Sequence, residues 1–158
     1  MLTWSELRAA RPDLAEAGRA LLYQFGVGLG FIATVRRDGG PRVHPMCPVL
    51  TDRGMFAFIV PGPKLVDLAR DGRYALHSFP CVDNEDAFYA TGRAESRADT
   101  GLRDALAQQF FDERKMPSAP PGFDDQQLFE LLIEACMVTR STGHGDPSPR
   151  HTIWRPGD

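Results

Sequence analysis

Between Leu29 and Val60 the spacing of the turns admits only antiparallel strands. Leu29-Gly30-Phe31-Ile32-Ala33-Thr34-Val35 is short, β-branched and aromatic, and it runs into Asp38-Gly39-Gly40, a hairpin signal. Pro41 to Leu50 reads as the returning strand. Thr51-Asp52-Arg53-Gly54 is a second turn, and Met55 to Val60 a third strand. Parallel neighbours need crossover connections of a dozen or more residues, and none is present. The expectation here is an antiparallel meander.

The third strand runs into Pro61-Gly62-Pro63-Lys64, ahead of the helical run Leu65-Val66-Asp67-Leu68-Ala69-Arg70. That arrangement places one cation and several unpaired backbone amides at the end of a strand pair. Both attract a phosphate group.

The flanking segments supply helices and more strands. Thr3 or Ser5 caps the first helix, with Glu6 placed for a capping box, and Pro12 divides the region into two short helices. Arg73 to Phe79 and Ala87 to Glu95 read as the fourth and fifth strands. Gly92 inside the latter marks a bulge or sharp bend, a device for curling a sheet. Asp99 or Thr100 caps a helix carrying Leu102, Ala105, Leu106, Phe110 and Phe111 at helical spacing. After the proline-rich loop Met116 to Gly122, Asp124 or Asp125 is expected to cap another helix, with Leu128, Leu131 and Leu132 on one face. Ala135 to Thr139 and His151 to Trp154 complete the strands. The sum is an α+β chain, mainly β with flanking helices: a six- to seven-stranded antiparallel barrel in a single domain, 1–158.

Composition removes several classes. A formal net charge of −3 gives nucleic-acid binding no electrostatic support. No run approaches the roughly 18 apolar residues of a membrane span. The polar start Met1-Leu2-Thr3-Trp4-Ser5-Glu6 is unlike a signal peptide, so a cytoplasmic location is expected. Cys47, Cys81 and Cys136 are scattered, with no C-x-x-C pair, which argues against a disulfide framework and a cysteine zinc site. His144, Asp146 and His151 match no metal-ligand spacing and read as part of a solvated loop. His77 reads either as a group that touches a ligand or a partner subunit, or equally as a satisfied core or interface histidine. No nucleophile elbow or dinucleotide-binding context is present.

The ordered series G-F-I-A-T-V-x-x-D-G-x-P-R-V-H-P, G-M-F-A-F-I-V and G-P-K-L-x-D-L-x-R-D-x-R-Y-A-L resembles the pyridoxamine 5′-phosphate oxidase-like family, the FMN-binding split barrels, over about residues 28 to 95. The resemblance implies a homodimer with FMN in a groove at the subunit interface. It places His44, Pro45, Met46 and Cys47, with Val49 further along, beside the ring and ribityl chain. Ile59 and Val60 follow at the end of the third strand, and Lys64 lies at the phosphate. It implies an oxidoreductase acting on a small molecule, with no nucleic-acid or membrane partner. His44 is the nearest candidate for a group beside the ring.

Three departures separate the chain from the vitamin oxidases. His44 stands where they carry an arginine, Val49 where they carry a lysine, and Pro63 where an arginine precedes the helix lysine. The C-terminal Arg150-His151-Thr152-Ile153-Trp154 only faintly echoes their vitamin-phosphate segment. Pyridoxamine phosphate oxidation is therefore not expected. Related split barrels carry deazaflavin or haem in the same groove, so the resemblance leaves open a non-catalytic cofactor-binding or sensing role.

Overall fold

Two residues, Cys47 and Pro48, decide how the sheet closes. In the computed structural model, which describes residues 1–157, the expected second strand is two strands: β2 (Pro41–Met46) and β3 (Val49–Leu50). β2 pairs β1 (Gly30–Val35) with Ile32 opposite His44, whereas β3 pairs β4 (Met55–Ile59) with Leu50 opposite Met55. The sheet has eight strands. They include β5 (Arg73–Ser78), β6 (Ala87–Ser96) and β7 (Gln127–Arg140), in the order β2-β1-β5-β6-β7-β4-β3. β8 (Arg150–Trp154), off this path, pairs the C-terminal part of β7, Cys136–Arg140. All pairings are antiparallel, as expected. The meander is not continuous, because β2 and β3 lie at opposite edges. Chain continuity at Cys47-Pro48, rather than a hydrogen-bonded ladder, joins those edges, which makes the barrel split. Pro48 has no N–H to give a ladder. Its carbonyl lies so close to Gly28 that a Cβ there would sit 1.9 Å from the oxygen.

The helix expected after Asp124 is a strand. Leu128, Leu131 and Leu132 have helical spacing, but the segment belongs to the 14-residue β7. Its two faces are both covered. Phe129, Leu131 and Ile133 enter the main core, and Leu128 joins a second cluster with Val49, Phe56, Phe58, Leu106 and Phe123. A strand buried on both sides reads as a continuous apolar run, which periodicity alone does not separate from a helix. The expected bulge at Gly92 is present: Thr91 pairs Ala135 and Gly92 pairs Ile133, so Glu134 is the extra residue. The bulge shifts the phase of β7, and Cys136 and Val138 take over the inward positions beyond it.

The helices cover the openings of the curled sheet. α1 (Trp4–Ala10) starts on a Thr3–Glu6 capping box, and Trp4 meets Phe88 edge-on at 5.8 Å. α2 (Pro12–Leu22) begins at the proline and inserts Leu14, Leu21 and Leu22 into the main core. α4 (Thr100–Glu113), capped by Asp99, roofs the second cluster with Leu106. α3 (Pro63–Arg70) lies against β1 beside the edge strand β2. No helix among the described residues is long and apolar enough to cross a membrane.

Candidate functional site

The start of α3 is built to leave donors unspent. Gly62 takes the N-cap position at φ 154°, in the region that favours glycine, and Pro63 follows at a first-turn position where its missing N–H costs nothing. No side chain caps the helix, so its first amides are not claimed by a capping residue. Lys64 Nζ reaches the carbonyl oxygen of Pro45 at 3.4 Å, a long contact that leaves most of its donor capacity free. Burial draws the Lys64 ammonium below its ordinary pKa, and the neighbouring Cys47 opposes that shift.

The inward face of β2 carries Arg42, His44 and Met46 in alternation. Asp67, projecting from α3, is buried beneath them. It accepts a hydrogen bond from Thr34 Oγ1 at 3.0 Å and another from Arg42 Nε at 2.9 Å. Burial pushes its carboxyl pKa up, but the bonds from Arg42 and Thr34 outweigh that and hold it below the usual range. The arginine thereby ties β2 to α3 and orients the strand that presents His44.

His44 is the one residue here with an uncommitted buried atom. Its Nε2 is inaccessible to solvent and has no hydrogen-bond partner. Burial first, then the charges of Lys64 and Arg42, draw the imidazole below its ordinary pKa, with Asp67 pulling the other way. The ring is therefore neutral at neutral pH, and its Nε2 has no hydrogen-bond partner. An unpaired buried polar atom costs about 1–3 kcal/mol, and an occupant supplying a hydrogen bond would remove that cost.

The Asp67 geometry predicts an acid limit. A carboxyl whose pKa is depressed on folding adds stability above its unfolded pKa, and that stability is lost as pH falls. Wild-type protein is expected to lose this contribution progressively below about pH 4. Asp67→Asn is expected to destabilise the neutral protein by about 1–3 kcal/mol and to flatten the acid limb. Urea unfolding across pH checks this, and an acid limb unchanged in Asp67→Asn would contradict it.

The remaining residues implied by the resemblance divide into two sets. His44, Cys47, Lys64 and the Pro45 carbonyl come together at the α3 start. Met46 and Ile59 are buried in the main core and Val49 in the second cluster, while Val60 is 51% exposed. His77 is exposed on the outer face of β5, with its Nδ1 2.6 Å from the Ser78 carbonyl oxygen. His144 and His151 contact Val82 O and Thr139 Oγ1, respectively, and Asp146 accepts from Thr142 and Ser148. Among the described residues, no group of three His, Cys, Asp or Glu side chains is placed to hold a metal. All three cysteines are free, and burial pushes the Cys136 thiol up to about 11.

A hollow of about 630 Å³ lies elsewhere. It is lined by Trp4, Glu16, Arg19 and Gln109, and its rim is crossed by an Arg8–Asp52 ion pair at 2.5 Å. Its charges are arranged in opposed signs, and it holds no buried unpaired polar atom.

Sequence reasoning missed Arg42, Asp67 and Thr34. Asp67 was visible as an acid amid the apolar residues of a short helix. Its partners, though, lie 25 and 33 residues away.

No family model and no curated protein matches the sequence. Solved structures do match the fold. A haem-binding protein from Mycobacterium smegmatis is 18% identical with a TM-score of 0.64, over 92% of this chain and 59% of that one. An F420 reductase is 20% identical with a TM-score of 0.57, over 68% of this chain and 87% of the other. A Listeria innocua protein named after pyridoxamine 5′-phosphate oxidase is 13% identical with a TM-score of 0.61, over 76% and 93%. The structural neighbours are thus pyridoxamine 5′-phosphate oxidase-like split barrels, and the expected α+β split barrel is the fold of this chain.

Proposed function

We propose, with the split barrel as premise, that this protein is an FMN-binding oxidoreductase acting on a small molecule, with the cofactor phosphate at the start of α3. The observation that carries the reading is the buried, unpartnered His44 Nε2, on a ring that feels the charges of Lys64 and Arg42. A phosphate oxygen meets that set well. An ammonium and helix amides attract it, and a neutral imidazole donates to it without adding a charge that must be desolvated. Lys64 holds the dianion, Arg42 and Asp67 keep β2 in register with α3, and His44 faces the group from the strand. Bound FMN supplies hydride and electron transfer, and the chain supplies binding, orientation and electrostatics. The neighbours named for haem and F420 bear on this groove only as alternatives in cofactor.

The reading includes a homodimer. The outer face of the sheet has an apolar strip at its middle, flanked on β5 by Arg73 and His77. In register across β2, β1, β5, β6 and β7 lie Val43, Ala33, Ala75, Thr91 and Ala135, a row of small side chains. Val43 is 63% exposed, and Ile153, further along this face, 45%. Phe31 and Phe79 stack at 4.5 Å beside the row. A second copy covering this face would also wall the open side of the β2 groove. The free cysteines suit the reducing cytoplasm, where the reading places the protein.

One observation favours a second reading, a haem carried without turnover. A neutral imidazole with an uncommitted nitrogen is a suitable axial ligand. Absorption spectra separate the two. Flavin bands that sharpen on FMN addition support the first reading, and a Soret band on haem addition without FMN uptake selects the second. Reduction of the bound flavin by NADH or NADPH separates an enzyme from a carrier. Lys64→Ala is expected to weaken FMN affinity by about 1–3 kcal/mol. Unchanged affinity would place the phosphate elsewhere.

A further inference from the structure

We propose that the arginines of the β1–β2 hairpin form a second anion subsite, which takes anionic groups that a flavin-type cofactor carries beyond its first phosphate. The inference rests on the cofactor reading above and extends it to the cofactor's class. Arg36, Arg37, Asp38 and Arg42 line a hollow of about 420 Å³ at the open end of β2. The hairpin itself needs none of these guanidinium groups. Its turn is closed by Arg36 N to Gly40 O and Gly39 N to Arg36 O, each 2.9 Å, and by Gly40 N to Asp38 Oδ1 at 3.0 Å.

The charges are only partly compensated. Arg36 pairs Asp38 at 3.2 Å with both side chains largely exposed, and Arg42 spends its Nε on Asp67. Arg37 is exposed and has no hydrogen-bond or ion-pair partner among the described residues. Arg70 donates to the Val35 carbonyl beside the hairpin and adds a further cation, with Asp71 3.8 Å from its guanidinium. On a chain with net charge −3, four arginines face three carboxylates at this end of the groove, and Arg37 is the charge left uncompensated.

The cations are also in line. Arg42 and His44 share one face of β2, two residues and so roughly 7 Å apart, and the charges of both Lys64 and Arg42 reach the His44 ring. Lys64, His44, Arg42 and the hairpin arginines form a row that begins at the phosphate position and runs away from Cys47. A cofactor ending in one phosphate fills only the first part of that row. A second phosphate, as in a dinucleotide, or the carboxylates of an oligoglutamate tail on a deazaflavin, would fill the rest. Their shared chemistry is negative charge repeated along a flexible chain.

Titrations with FMN, FAD and a 5-deazaflavin phosphodiester with and without its oligoglutamate tail test this. At low salt, at least one tail-bearing cofactor is expected to bind about tenfold or more tighter than its untailed counterpart. High salt should close the gap. Preference for FAD identifies a second phosphate, and preference for the glutamylated deazaflavin identifies carboxylates. The double variant Arg36→Gln/Arg37→Gln should abolish the preference while keeping FMN affinity within about twofold and leaving the circular dichroism spectrum unchanged. Equal affinity of tailed and untailed cofactors, or a preference that survives in the double variant, overturns the inference and leaves the FMN reading intact. Failure of every flavin and deazaflavin to bind overturns both.

Discussion

Gly92→Ala is expected to cost about 3 kcal/mol or more of folding stability, although it adds a single methyl group. A Cβ at this position would lie 1.8 Å from Leu132 O and 3.1 Å from Glu134 N, both backbone atoms of β7 that no rotamer change can move aside. Relief requires moving the bulge, and the bulge sets the phase of β7. Phe129, Leu131 and Ile133 point inward on one side of it, Cys136 and Val138 on the other. Because side chains alternate along a strand, a one-residue slip turns one of those sets out of the core. Gly101→Ala is the control. Its Cβ would meet only Asp99 Oδ1, at 3.4 Å, and α4 should gain a few tenths to about 1 kcal/mol from the better helix former. Urea unfolding of the two variants checks both signs. A Gly92→Ala midpoint equal to wild type would mean that the bulge does not hold the sheet in phase.

With the proposed homodimer as premise, Ala75→Arg is expected to convert the protein to a monomer and to weaken FMN binding with it. Ala75 lies at the centre of the small-residue row, opposite Ala33 on one side and Thr91 on the other. A guanidinium there cannot be buried against an apolar partner without an unpaired charge, a cost of about 3–5 kcal/mol. That corresponds to dimer affinity falling by roughly two orders of magnitude or more. The inner face, where Tyr74 and Leu76 are buried, is untouched, so the fold should persist. Sedimentation equilibrium with a parallel FMN titration reads both effects. A variant that remains dimeric would place the interface elsewhere, and a monomer with undiminished FMN affinity would show that one chain completes the site.

How much of this could be read from residue order depended on the range of the interactions. Turn glycines, the Thr3 capping box and the Gly92 bulge are local and were legible. The break in the second strand was not, because Pro48 is only one of several prolines in that run, and its meaning depends on Gly28 lying against its carbonyl. The segment after Asp124 looked helical because Leu128, Leu131 and Leu132 mimic one face of a helix. Only the presence of α4 over one side and the barrel core on the other shows why a strand is apolar on both. At the proposed site, Lys64 and His44 were singled out by the resemblance alone. The reason His44 is neutral was not legible, since it depends first on burial and then on the charges of Lys64 and of Arg42, which is held by Asp67 of α3. Val49, noted as replacing a cation, turns out to be fully buried beneath α4. A lysine at that position could not reach a ligand without leaving the second cluster.

The most direct test compares FMN with riboflavin, which differs only by the phosphate. Titrated against the purified protein by flavin fluorescence, FMN should bind saturably and at least about tenfold more tightly than riboflavin, with that advantage largely lost in Lys64→Ala. Equal binding of FMN and riboflavin, or no binding of either, would contradict a phosphate seat formed by Lys64, His44 and the start of α3.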